Sequence, residues 1–357
     1  MAEFAVGLIG YGLAGSVFHA PLIAATPGLR LAAVVTRDPV RADEVRAKYD
    51  ARVVSSVSEL LEGAAELGVI VVASPNRFHA EHARAAVHAG VPVVVDKPFA
   101  VSVEEGEAVI AAAEQEGVPV TVFHNRRWDG DFRTVRMLVE SGRLGTVTRF
   151  ESRFERWRPH PKGGWREIGD IAEGAGLLYD LGSHLVDQAL QLFGPVTEVY
   201  AQVDRRRDGV TADDDVFLAL THANGVRSHL WASAVASDLG PRFRVLGSTG
   251  AYVKYGLDGQ EEALRSGGNP AAPDWGVEPE QTWGRIGTPS ATESVPTLPG
   301  AYPAFYAQLV DALRGQGAMP VDPWDAIAGL RILEAARQSH AERTVVSLSV
   351  PPGHSGV

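Results

Sequence analysis

The sequence predicts an α/β protein: an N-terminal doubly wound parallel sheet, then a C-terminal α+β domain with an open, mainly antiparallel sheet. Three observations carry this. Short apolar runs without alternation read as strands buried on both faces, and up to about Asn125 they alternate with helical stretches. A glycine-rich turn follows the first run directly. Beyond Asn125 strand succeeds strand across short Gly- or Asn-containing connections, with few helices between them.

A chain of 357 residues is long for one core. The rhythm places a dinucleotide-binding domain over 1–125, a substrate-binding and oligomerisation domain over 126–345, and a strand end and tail over 346–357. A formal net charge of -11 argues against nucleic acid and acidic membrane surfaces as partners. The absence of cysteine excludes disulfides, thiolate metal sites and cysteine nucleophiles, and fits a reducing compartment. Met1-Ala2-Glu3-Phe4 passes straight into a strand without a secretion signal, and no apolar run is long enough to span a bilayer. A cytoplasmic location is expected. No histidine cluster has metal-ligand spacing.

In the first domain, Phe4 to Ile9 is the first buried strand. Gly10-Tyr11-Gly12-Leu13-Ala14-Gly15 follows at once and opens a helix over Ser16 to Ala25. Directly after a strand, this spacing is a dinucleotide fingerprint: Gly10 makes the tight turn, Gly12 admits the diphosphate, and Gly15 lets helix and strand approach. The helix N-terminus adds a partial positive charge for the phosphates. Leu31 to Val35, the second strand, ends in Thr36-Arg37-Asp38. NAD enzymes place an acidic residue there, about 20 residues past the glycines. A hydroxyl and a guanidinium instead suit a 2′-phosphate, so NADP is favoured over NAD. The alternative is that Arg37 is solvated and Asp38 takes the acidic role of an NAD enzyme, although Asp38 also precedes Pro39 and a helix over Val40 to Tyr49, the position of a helix cap. Val69 to Ala73 ends in Ser74-Pro75-Asn76, at the strand ends where an open parallel sheet forms its ligand crevice. Phe78 to Ala89 is helical. Val91 to Val95 ends in Asp96-Lys97-Pro98, and a lysine at that position is placed for function rather than packing. Ser102 with Glu105 caps the next helix, and Val118 to Phe123 is the fifth strand.

In the second domain, Phe132 to Glu140 reads as a helix and Thr146 to Glu155 as an alternating strand. Gly174-Ala175-Gly176 turns into a helix from about Gly176 to Phe193, on which Asp180 and His184 are four residues apart and share a face. Val196 to Val203, Val216 to His222, Val226 to Ala234, Phe243 to Leu246 and Ala251 to Tyr255 follow as strands. Gly256 to Gly300 reads as a long surface excursion, Ala301 to Leu313 and Pro323 to His340 as amphipathic helices, and Pro351 to Val357 as a loose tail. One sheet face needs cover, which points to a homodimer or homotetramer built on this sheet.

Gly10–Gly15, Asp96-Lys97-Pro98 and Gly174–His184 resemble the three motifs of the glucose–fructose oxidoreductase/inositol dehydrogenase (Gfo/Idh/MocA) family, over nearly the whole chain. Phe18-His19-Ala20-Pro21, Phe123-His124-Asn125-Arg126-Arg127-Trp128-Asp129 and Val253-Lys254-Tyr255-Gly256-Leu257-Asp258 resemble, more narrowly, a bacterial subgroup that includes NADP-dependent scyllo-inositol dehydrogenases. The family's Glu-Lys-Pro is Asp-Lys-Pro here, and Ala175 stands where a second glycine is usual.

The resemblance implies a Rossmann domain and a catalytic set of Lys97, Asp180 and His184. It also implies hydride transfer between NADP and a secondary alcohol or ketone of a cyclic polyol or sugar. The chemistry agrees. His184 has the pKa range of a general base, Asp180 orients it or holds a substrate hydroxyl, and Lys97 stabilises alkoxide charge. Lysine as the base is the alternative assignment. The expected cofactor contacts are Gly10, Gly12, Leu13, Ala14, Gly15, Thr36, Arg37, Ser74, Pro75, Asn76, His79, Asp96 and Lys97. Candidate substrate contacts are Lys97, Asn125, Arg126, Trp128, Arg158, Trp165, Tyr179, Asp180 and His184; Asp187 reads equally as structural. The competing readings are the same chemistry on an aldose or dihydrodiol, and a dinucleotide-binding regulator without turnover.

Overall fold

The computed structural model describes residues 3–349; the tail predicted over Pro351 to Val357 lies outside them. The chain forms two compact units. The first comprises the chain up to Trp128, Gly259–Gly276 and Ala301–Ile327; the second comprises Asp129–Asp258, Val277–Gly300 and the chain from Ala328. This differs from a single cut near residue 125, because two later segments complete the first unit. The Gln260 amide donates to the Trp128 carbonyl at 3.1 Å and accepts from the Tyr302 amide at 2.8 Å. Thr121 exchanges hydrogen bonds with the backbone of Val321 at 2.8 and 3.0 Å.

The first unit holds six parallel strands, β1 Phe4–Ile9, β2 Leu29–Val35, β3 Arg52–Val54, β4 Val69–Val72, β5 Val93–Asp96 and β6 Val120–Phe123, in the order β3-β2-β1-β4-β5-β6. That is the doubly wound dinucleotide-binding order, with the switch point between β1 and β4. Every residue of β4, β5 and β6 is buried, in keeping with the Val, Ile, Thr and Phe that make up all three strands except the terminal Asp96 of β5. The sequence predicted five strands. It missed β3, which has three residues and is too short for a periodicity.

The second unit is a nine-stranded sheet: β7 Val147–Glu155, β8 Val196–Asp204, β9 Asp215–His222, β10 Arg227–Ser233, β11 Phe243–Gly247, β12 Ala251–Lys254, β13 Gly284–Thr288, β14 Ala291–Val295 and β15 Val346–Ser347. Their order is β14-β13-β12-β11-β7-β10-β9-β8-β15, and every pairing except β7 with β10 is antiparallel. In β9, Val216, Leu218, Leu220 and His222 point inward while the residues between them are half-exposed. The stretch from Gly256 to Gly300 is not the surface excursion expected. It contains the helix Gln260–Arg265 and the hairpin of β13 and β14, which extends the sheet. Four of the five residues of β14 are exposed, so it carries no apolar alternation to read.

The helix Ser183–Phe193 packs on the inward face, with Phe193 5.4 Å from the Phe150 ring of β7. His222 fixes its end. Its Nδ1 lies 2.8 Å from the Gly194 carbonyl and its Nε2 2.8 Å from the Ser228 hydroxyl. Burial pushes the His222 pKa down to about 4, and the Gly194 carbonyl opposes this only in part. An unfolded histidine titrates near 6.5, so the unfolded chain binds the extra proton first. The contribution of neutral His222 is therefore complete above about pH 6.5 and is lost as pH falls towards 4. His222→Gln keeps both hydrogen-bonding functions without the titration. It should flatten the fall in melting temperature between pH 7 and pH 4.5 measured by circular dichroism; an unchanged slope would refute the assignment.

Candidate active site

In the first unit the glycines act as the fingerprint requires. Gly10 has φ +100°, and a Cβ there would meet the Ala73 carbonyl oxygen at 2.6 Å. A Cβ on Gly15 would lie 2.1 Å from the Gly10 carbonyl oxygen, so strand end and helix start touch through backbone alone. A Cβ placed on Gly12 would meet no other residue within 4 Å, leaving the open space that a diphosphate needs. Leu13 leads into a wide helical turn, Ala14–His19, that continues as the α-helix Ala20–Ala25. Wide turns of this kind recur at functional sites.

At the end of β2, Asp38 is committed to its helix. Its Oδ1 accepts from the amides of Val40 at 2.9 Å and Arg41 at 3.3 Å, and its Oδ2 lies 3.5 Å from the Arg41 guanidinium. Thr36 accepts from the Asp38 amide at 3.3 Å. Arg37 is exposed and has no carboxylate partner among the described residues. Ser74, Pro75 and Asn76 turn the chain out of β4, and Asn76 is buried. His79 is buried behind this turn, its Nε2 2.8 Å from the Ser74 carbonyl and its Nδ1 2.7 Å from the Pro98 carbonyl. It braces the two segments that carry Ser74 and Lys97. Burial lowers its pKa against the opposing pull of Asp96 and the two carbonyls.

Asp96 is buried and accepts from the Lys97 amide at 2.9 Å. Burial acts to raise its pKa, but His19, Lys97 and His79 outweigh that and hold the carboxyl below its usual range. His19 lies 3.8 Å away and has its Nδ1 2.6 Å from the Tyr306 hydroxyl. His19 and Tyr306 were not singled out as site residues, because a histidine within an apolar helix reads as core.

The second unit carries a cavity of about 200 Å³ beside Asp180, with Trp165, Arg166, Glu167, Leu177, Leu181 and Asp213 among its walls. Asp180 sits in a wide turn, Leu178–Gly182, that runs into the α-helix Ser183–Phe193, whose second residue is the buried His184. Asp213 starts this element. Its Oδ2 accepts from the Leu178 amide at 2.7 Å and its carbonyl accepts from the Leu177 amide at 2.9 Å. Gly176 has φ +96°, and a Cβ there would lie 2.2 Å from the Asp213 Oδ1. Burial raises the Asp213 pKa, opposed first by the Leu178 amide. Arg166 lies over the Trp165 ring at 4.6 Å, with its Nε 3.3 Å from the Asp180 Oδ1.

Arg207 staples the segment that carries Arg166. Its guanidinium donates to Asp214 at 2.8 Å, to Glu167 at 3.0 Å and to the Arg158 carbonyl at 3.1 Å. Burial acts to raise the Glu167 pKa, but the Lys162 and Gly163 amides and Arg207 hold it low. The triplet Asp213-Asp214-Asp215, directly before and into a strand, was the unused sequence signal for this arrangement.

Three of the expected substrate contacts have partners within their own unit. Arg126 is buried and its guanidinium pairs with Glu261 at 2.7 Å, and the Trp128 ring packs edge-on to Phe305 at 5.4 Å. Tyr179 is buried beneath the Arg337 guanidinium at 4.6 Å. Asn125 is also buried. Arg126 and Tyr179 are buried in these contacts, and Trp128 is half-buried.

Asp213→Ala should lose about 1–2 kcal/mol of stability, the usual loss of a capping carboxylate, and should lower kcat more than KM for NADP. Asp213→Asn keeps an acceptor and should retain most of both. Equal kcat in the wild type and Asp213→Ala would show that the cap does not position the reactive helix.

Residues 4–124 match the oxidoreductase family with an NAD-binding Rossmann fold, and residues 132–253 match the GFO/IDH/MocA C-terminal domain. The chain is 36% identical over 348 residues to scyllo-inositol 2-dehydrogenase (NADP(+)) IolW of Bacillus subtilis, covering 96% of this chain and 95% of that one. It is 40% identical over 348 residues to the oxidoreductase YdgJ of Escherichia coli, covering 96% and 98%. A solved structure of the oxidoreductase yvaA from Bacillus subtilis superimposes with a TM-score of 0.91 at 34% identity, covering 97% of this chain and 99% of that one. With both domains matched and the fold shared end to end, the chain belongs to the Gfo/Idh/MocA family of oxidoreductases.

Proposed function

We propose that this chain is an NADP-preferring dehydrogenase acting on a secondary alcohol, or the corresponding ketone, of a cyclic polyol or sugar. The observation that carries the proposal is Asp180 in a cavity with several charged side chains among its walls, on the same wide turn and helix as His184, in a chain that also has the glycine cradle. The relationship to a scyllo-inositol dehydrogenase supports the substrate class. Support for NADP comes from Asp38 being occupied as a helix cap while Arg37 is available for a 2′-phosphate.

Gly10, Gly12, Leu13, Ala14 and Gly15 would hold the diphosphate; Thr36 and Arg37 the ribose 2′ end; and Ser74, Pro75, Asn76, Asp96 and Lys97 the remainder. The nicotinamide supplies the two-electron acceptor or donor. The chain supplies proton handling and charge. His184 takes the proton of the reacting hydroxyl in oxidation and returns it in reduction. Asp180, held by Arg166, accepts from a substrate hydroxyl and fixes the orientation. Lys97 stabilises the developing alkoxide.

The sheet of the second unit would also carry the homo-oligomer. Its outward face bears half-exposed Phe217, His229 and Trp231 in mutual contact, with Arg153 3.9 Å over Trp231. Trp231→Glu should shift the mass measured by light scattering towards the monomer.

His184→Ala and Lys97→Ala should each reduce NADP-linked turnover by roughly 100-fold or more while still binding NADPH, as loss of an acid–base group or a charge stabiliser does. Near-normal rates would refute the site, and NADPH binding by the wild type without turnover of any polyol or sugar would favour a non-catalytic regulator. Arg37→Ala should weaken NADP by roughly tenfold, the value of one charge-assisted contact, and NAD far less. Equal losses would contradict the 2′-phosphate assignment.

A further inference from the structure

The cavity beside Asp180 has more positive charge than its own acids can neutralise. Its cationic walls are Arg156, Arg158, Lys162, Arg166 and Arg207, against the acids Glu167, Asp180 and Asp213. The acids are already engaged. Asp180 is paired with Arg166, and Glu167 with Arg207, which also holds Asp214 behind it. Asp213 is 4% exposed and directs its carboxylate to the Leu178 amide. Among the described residues, neither Arg158 nor Lys162 has a carboxylate partner. Both are exposed on the segment that Arg207 pins in place through the Arg158 carbonyl and Glu167, whose carboxylate in turn accepts from the Lys162 amide at 2.6 Å. Their backbone positions are therefore fixed, while their charged ends remain available. Two uncompensated cations at a cavity wall stand out in a chain whose net charge is -11.

We infer that this cavity binds an anionic group carried by the substrate, so that the polyol or sugar is an acid or a phosphate ester, with Arg158 and Lys162 as the residues that recognise it. The inference rests on the proposed reaction for the rest of the substrate and narrows its class. A carboxylate and a phosphate share the chemistry by which a guanidinium and an ammonium recognise them. At a wall open to water such pairs set specificity more than total affinity, because much of the gain is offset by desolvation.

The test is calorimetric titration of the full-length protein with NADP present, using pairs that differ only in the acidic group. Glucuronate and glucose 6-phosphate are each compared with glucose, and galacturonate with galactose. Turnover is followed in parallel by cofactor absorbance. At least one acidic member should bind roughly tenfold tighter than its neutral partner, and added salt should erode the difference. Arg158→Ala and Lys162→Ala should each reduce the acidic-over-neutral preference, and the double variant should abolish it. Preference for uronates over the phosphate identifies a carboxylate, and the reverse identifies a phosphate; either supports the inference. Equal or tighter binding of the neutral members, or a preference that survives the double variant, overturns it. Because binding is read separately from turnover, an acidic sugar that binds through Arg158 and Lys162 sustains this inference even if no sugar or polyol of the panel is turned over, and only the latter outcome counts against the proposed reaction. Turnover of neutral polyols with no acidic preference does the opposite.

Discussion

Asp213 reaches across to the start of the turn and helix that carry Asp180 and His184 and occupies two of the first amides, with its carboxylate on Leu178 and its own carbonyl on Leu177. Helix starts leave amides without internal partners, and a buried start has to find acceptors. The same carboxylate fills the space where a side chain at position 176 would stand, which is why the loop needs glycine there. At the other end of the helix His222 lies against the Gly194 carbonyl. The element that carries Asp180 and His184 is thus fixed at both ends by neighbouring segments, which is the fixing that the proposed catalytic role would need.

The neighbouring residues extend the same constraint. Asp214, next to the cap, holds Arg207; Arg207 holds Glu167; and Arg166, beside Glu167, meets Asp180. A short acidic stretch before β9 therefore governs both the helix and the segment that walls the cavity. In the first unit the comparable constraint is steric. Gly10 and Gly15 bring strand end and helix start into backbone contact, and Asp96 is kept ionised within a buried group of His19, His79 and Lys97.

Much of this was legible in the sequence. Short Val-rich runs marked β4, β5 and β6, the glycine spacing marked the cradle, and the four-residue interval marked Asp180 and His184 on one element. What was not legible depends on contacts distant along the chain. Nothing local to Arg126 shows that it pairs with Glu261, 135 residues on. Arg207 and Asp213 lie in a polar stretch whose local pattern is that of an ordinary loop, and only the fold brings them to the cavity. The edge strand β14 faces solvent along most of its length and so has no periodicity to detect.

The most direct test of the account is isotope transfer. The protein would be incubated with NADP and perdeuterated inositols, hexoses and hexuronates in ordinary water, and the reduced cofactor analysed by mass spectrometry. The account predicts one deuterium per cofactor, carried from carbon, from at least one of these compounds. Binding of NADP with no deuterium reaching the cofactor from any of them would contradict it.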